Sequence, residues 1–159
     1  MKSTKRRLYL PPEPTQEKLR VKIAFTTSDR QTVDQHFGSA KGVLIYGIYH
    51  TEWHLMEAIE YRTSGPAHDK LPSRIEDLSG CAAIFCNACG ASAIRQLLEC
   101  DIQPVKVNEK CDIHFLLNEV LSELDSAHTG WLSRALKKNK QPDTSGTEKR
   151  LTQLMDEEW

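Results

Sequence analysis

"CAAIFCNACGASAIRQLLEC", residues 81–100, decides how the rest of the chain is read. Its first six residues are a short unbroken apolar run, the pattern of a strand buried on both faces. From Ala91 to Glu99 the spacing changes, and Ile94, Leu97 and Leu98 fall on one side of a helix. The next apolar segment, "IQPVKV", supplies another strand, so the stretch reads as strand, tight turn, helix, strand.

On the amino-terminal side, "VKIAFTT" alternates Val21, Ile23 and Phe25 and reads as the first strand. "GVLIYGIYH" and "EWHLMEAIEY" follow as two more, joined by a short polar connection at 50–52 that suits an antiparallel hairpin. "LPSRIEDLSG" predicts a helix, with Pro72 tolerated in its first turn, Leu71, Ile75 and Leu78 on one face and Gly80 as its stop. Beyond Asp112, Ile113, Leu116, Leu117, Val120, Leu121 and Leu124 keep the i, i+3, i+4, i+7 spacing of a long amphipathic helix. A shorter helix is expected around 131–138. Together these elements predict a three-layer α/β fold with a mixed five-stranded sheet. Ligands of such sheets collect at the carboxyl ends of the parallel strands. The loop after the first strand, "TSDRQTVDQHFGSAK", and the turn "CNACG" should therefore face each other.

The ends differ from the middle. Residues 1–20 carry Pro11, Pro12 and Pro14 without periodicity and read as a flexible basic arm, residues 21–138 as the folded domain, and residues 139–159 as a flexible tail. With 159 residues, 39% hydrophobic and 27% charged, the composition is that of one soluble domain. No run approaches the length of a membrane span and no signal peptide opens the chain, so a cytoplasmic protein is expected, with no membrane partner. The net charge of −1 conceals +4 over residues 1–20, −5 over 21–136 and 0 over 137–159. An acidic middle argues against a nucleic-acid partner, which needs a contiguous basic face.

Cys86-x-x-Cys89 has the spacing of a metal-ligand pair or of a dithiol at a helix start, and equally of two small packing residues. A closed zinc site needs a second pair, which the sequence lacks. Cys81, Cys100 and Cys111 read as packing residues. His36, in "DQHFG", sits on a loop where a neutral imidazole is available to a transition metal. Among the other five histidines only His50 and His54 stand four apart, and they fall in the expected strand hairpin rather than on a helix. One imidazole with one or two thiolates on facing loops suits a preassembled metal–sulfur cluster better than a bare ion. A nuclease on a sheet of this shape would need acidic residues inside the central strands. Residues 21–27 contain none.

"VKIAFTTSDRQTVDQHFGSAKGVLIYGI" and "GCAAIFCNACGASAIRQLLECDIQPVKV", taken together, resemble the dinitrogenase iron-molybdenum cofactor-binding family, in its NifX/VnfX-type branch. The resemblance runs from about Val21 to Trp131 and implies an RNase H-like fold. It also implies a non-enzymatic carrier or storage protein whose cargo is an iron-sulfur cluster precursor, the NifB-cofactor, or the FeMo/FeV-cofactor itself. The implied partners are a NifB-type cluster source, a NifEN/VnfEN-type scaffold and apo-nitrogenase. His36 matches the family's histidine, the expected cluster ligand, with Cys86 and Cys89 on the second loop as further candidate ligands. Arg30, Lys41 and Arg95, the basic residues nearest the two loops, are expected to offset the charge of an anionic cargo. The alternative is a thiol-based redox or regulatory interaction module with structural cysteines.

Overall fold

The computed structural model describes residues 5–11, 18–61 and 71–125. The helix expected around 131–138 and the tail 139–159 lie outside these residues. The first departure from expectation is at the amino terminus. Lys5–Tyr9 is a strand, β1, at the edge of the main sheet, paired antiparallel with Trp53–Tyr61 (β5) from Lys5↔Tyr61 to Tyr9↔Glu57. The expectation of a flexible arm is corrected for that segment.

The sheet has six strands rather than five. Val21–Thr26 (β2) lies near its centre, with Gly42–Ile48 (β4) antiparallel on one side and Cys81–Cys86 (β6) parallel on the other. Gln103–Lys106 (β7) continues parallel to β6, and the order across the sheet is β1-β5-β4-β2-β6-β7. The hairpin of β4 and β5 forms as its alternation requires. Thr32–Val33 (β3) and Cys111–Asp112 (β8) make a separate two-residue ribbon beside the carboxyl end of β2.

Among the described residues three α-helices cover the two faces. Leu71–Glu76 (α1) and Ala91–Glu99 (α2) send Leu71, Ile75, Ala93, Ile94, Leu97 and Leu98 into one core cluster with Ala24, Val43, Ile45, Ile59 and Ile84. Ile113–Asp125 (α3) packs Ile113, Leu116, Leu117 and Val120 on the opposite face, against Ile23, Phe25, Leu44 and Phe85. The period-2 alternation of β2 thus assigns its residues to two cores, one per face. α2 carries its apolar residues at helical spacing, and Cys100 lies two positions past Leu98, off that stripe. Its thiol is exposed and that of Cys111 half-buried, so of the three cysteines expected to pack only Cys81 is wholly interior.

Candidate functional site

The site is built where β2 and β6, parallel and adjacent, release their chains at the same edge of the sheet. After β2 the chain makes a turn organised by Asp29. Its carboxylate accepts hydrogen bonds from the Gln31 and Thr32 amides (2.9 and 2.8 Å) and from the Thr27 and Thr32 hydroxyls. The backbone bonds of Thr32 and Gln31 to the charged form hold the carboxyl well below the usual range. Arg30 adopts a left-handed conformation inside this turn (φ 64°) and pairs with Glu60 of β5 at 2.9 Å. Asp34 accepts from the backbone amide and the hydroxyl of Ser28, which fixes the segment leading to His36.

The two loops are stitched together by backbone. His36 and Ala88 form a parallel bridge. The Phe37 amide donates to the Ala88 carbonyl (2.9 Å) and the Asn87 amide to the Gln35 carbonyl (3.0 Å). Beneath them the buried Thr26 hydroxyl lies between the carbonyls of Gln35 (3.0 Å) and Phe85 (3.2 Å). The Asn87 amide side chain reaches the carbonyls of Val33, Val107 and Asn108 and ties in the β3/β8 ribbon. The sequence leads one to expect facing loops, and they do face each other. Nothing in the sequence marks Thr26 or Asn87, because their partners belong to segments remote in sequence.

His36 is exposed on top of this platform, immediately before a single 3-10 turn, Phe37–Ser39. Gly90, the N-cap of α2, begins two residues past Ala88. The first turn of α2 contains no acidic residue and no side chain caps it, so the positive end of the helix dipole is uncompensated there. At Gly38 and at Gly90 a Cβ would meet nothing within 4 Å among the described residues, so there is free space beside the backbone of both loops.

The cysteine pair sits below that surface. Cys86 and Cys89 are buried in the α1/α2 core cluster with Phe37 and Ala93. The Cys86 thiol is pushed up by its hydrogen bond with Cys89, then by burial and by its electrostatic interaction with Cys89; only the Ala88 amide acts the other way. This is opposite to the environment that activates a redox cysteine. Among the described residues no group of three or more His, Cys, Asp and Glu side chains is placed to hold a metal ion. Of the basic residues, Arg30 is engaged with Glu60, Lys41 is exposed just before β4 with its amide bonded to Gln35, and Arg95 is on the exposed side of α2.

A residue not foreseen from the sequence lies directly under the 3-10 turn. Arg74 of α1 is buried, yet its guanidinium donates to the Ala40 carbonyl at 2.7 Å and reaches the Phe37 carbonyl at 3.5 Å. It stacks 4.0 Å from the centre of the Tyr61 ring.

Fold and site define a small mixed α/β protein that presents one exposed imidazole above two interlocked loops. The chain belongs to the dinitrogenase iron-molybdenum cofactor family, whose model matches residues 19–123. It is similar to Protein NifX of Azotobacter vinelandii, with 40% identity over 125 residues covering 77% of this chain and 79% of that protein. Protein NifX of Klebsiella pneumoniae is 31% identical over 142 residues, covering 87% and 84%. Protein NifX of Sinorhizobium fredii is 29% identical over 124 residues, covering 73% and 78%. Among the described residues no helix is long and apolar enough to cross a membrane.

Proposed function

We propose that this chain is a carrier that binds an iron-sulfur cluster precursor, or the finished nitrogenase cofactor, and passes it to the scaffold or to apo-nitrogenase. Family membership supports a role in the handling of nitrogenase cofactor. The observation that carries the finer reading is His36, exposed over open space and backed by the two stitched loops. An imidazole held on a rigid platform offers a terminal metal one ligand without enclosing the cluster, which suits delivery better than storage in a cage. The bare amino end of α2 adds positive potential beside it, and Arg30, Lys41 and Arg95 extend that potential around the rim for an anionic sulfide-rich cargo.

Cys86 and Cys89 enter this reading second. Both thiols are under the turn, and ligation needs the loop Asn87–Gly90 to open and both protons to leave. His36 therefore makes the first contact and the thiols join only in an opened state. The carrier is not an enzyme in this reading, works in the cytoplasm, and meets a NifB-type source and a NifEN/VnfEN-type scaffold. An RNase H-like assignment of the sheet is supported by β4 being the one reversed strand among β5, β4, β2, β6 and β7.

The test is anaerobic mixing with cluster delivered by a NifB-type source, followed by sizing chromatography with iron content and visible absorption. Wild type should elute brown with iron. His36→Ala should lose most of the iron while unfolding at the same denaturant concentration. Colourless wild-type protein, or equal iron in both proteins, removes the carrier reading or the histidine from it, respectively.

A further inference from the structure

α1 contains a contradiction in its own pattern. Leu71, Arg74, Ile75 and Leu78 occupy i, i+3, i+4 and i+7, the stripe that faces the core, and all four are buried. Three are apolar as the stripe requires, and the fourth is an arginine only 7% exposed. Burying a guanidinium is costly, and the usual compensation is a carboxylate in direct contact. Here the nearby carboxylate, Asp77, is engaged by Lys5, Arg7 and the Tyr61 hydroxyl. Arg74 instead faces the Tyr61 ring and two main-chain carbonyls, and its buried Nε has no hydrogen-bond partner. Burial lowers its pKa, and the opposing influence of Tyr61 and Asp77 does not cancel this.

The two carbonyls belong to Phe37 and Ala40, which bracket the turn that follows His36. That turn has little of its own to hold it. Its internal bond, from the Ala40 amide to the Phe37 carbonyl, is long at 3.4 Å, and His36 makes no side-chain cap. From above it is fixed by the Phe37 amide on Ala88, and from below Arg74 is, among the described residues, the side chain that bonds its carbonyls.

We propose that Arg74 is the positioning residue of the cargo site: it anchors the Phe37–Ala40 turn from inside the core, so fixing the direction of His36, and sets a cation beneath an anionic ligand. The second half rests on the reading that His36 receives the cargo; the first half does not. A charged donor on two carbonyls makes stronger bonds than a neutral one, and a fixed turn leaves the imidazole less freedom to lose on binding.

Two replacements of Arg74 separate this role from plain packing. Leucine at position 74 completes the apolar stripe, and exchanging a buried ion for an apolar residue is often neutral or stabilising. Arg74→Leu should therefore unfold at or above the wild-type denaturant midpoint while amide exchange at Phe37 and Ala40 rises at least tenfold. Retention of an anionic synthetic iron–sulfur cluster with thiolate terminal ligands should fall at least tenfold. One guanidinium nitrogen, Nη1, makes both carbonyl contacts, so Arg74→Lys keeps a charged donor but loses the planar group stacked on Tyr61, and should recover part of the retention and of the protection. Unchanged exchange at Phe37 and Ala40 in Arg74→Leu overturns the proposal. Should Arg74→Leu fail to fold, Arg74→Lys and Arg74→Met are read by the same exchange measurement with the same criterion. If wild type retains no cluster, the carrier reading falls, while the exchange result still decides whether Arg74 positions the turn.

Discussion

Arg7→Met should show what holds the amino-terminal strand to the sheet. Arg7 bridges Glu57 and Asp77 at 3.0 Å each and donates also to the Asp77 carbonyl, and Lys5 joins it on Asp77. Asp77 and Glu57 are 4% and 8% exposed. Breaking a buried pair by removing one partner costs about 3–5 kcal/mol, because the remaining charge stays desolvated. Arg7 itself is 22% exposed and Asp77 keeps Lys5 and Tyr61, so the cost falls below that range, to about 2–3 kcal/mol. For a domain of this size that lowers Tm by about 10 °C. The assay is chemical and thermal unfolding of wild type, Arg7→Met, Glu57→Gln and the double variant. The coupling between the two positions should exceed about 1 kcal/mol. Arg7→Met within about 0.5 kcal/mol of wild type would mean that water reaches the carboxylates freely and that β1 is held by its backbone ladder alone.

The other predictions are narrower. Of the described cysteines, Cys100 should be alkylated first at pH 8; the Cys81 thiol, pushed up to about 12 by burial, should react about a thousandfold more slowly, as read by mass spectrometry of timed aliquots. Gly42→Ala should destabilise by about 1–3 kcal/mol, since its Cβ would lie 3.0 Å from the Thr27 carbonyl and 3.1 Å from that of Ile59. Gly90→Ala meets no neighbour and should leave the unfolding midpoint unchanged while weakening cluster retention if cargo approaches that backbone. Asp29, with its folded pKa depressed, should contribute stability above the ordinary carboxylate range and lose that contribution as pH falls through the folded value. Asp29→Ala and wild type should therefore converge in stability on strong acidification, as followed by denaturant titrations at several pH values.

The central sheet was legible because its strands obey one rule each. β6 is a continuous apolar run since both its faces are covered, and β2 is likewise divided between the two cores, its run broken only by the half-buried Lys22. The parallel placement of these two strands then forces their exit loops together, which is why His36 and the CNACG turn were brought to one place by topology alone. β1 escaped because its inward face is Lys5 and Arg7, and its burial is answered by carboxylates on β5 and beyond α1 rather than by apolar contact. A hydropathy pattern carries no trace of such pairing. Cys86 and Cys89 were legible as a pair, but spacing says nothing of depth, and the loops close over them.

Arg74 was hidden for a related reason, and the way it was hidden bears on how an acidic domain receives an anion. A lone arginine in a helical stripe reads as an interruption until its partners, the carbonyls 34 and 37 residues earlier in the chain, are known. The charge that matters at the site is not the net charge of residues 21–136. Two of their carboxylates, Glu57 and Asp77, are met by Lys5 and Arg7 from outside that segment, and Arg30 meets Glu60 at the rim. With Asp77 occupied in this way, Arg74 is left to direct its guanidinium at the turn. Were Lys5 and Arg7 absent, Asp77, which already acts on Arg74 electrostatically, would lose these two cationic partners, and drawing Arg74 toward it would loosen the Ala40 contact. The basic strand at one edge of the sheet and the histidine turn at its end thus share one electrostatic account, in which β1 satisfies the interior acids and Arg74 remains with the site.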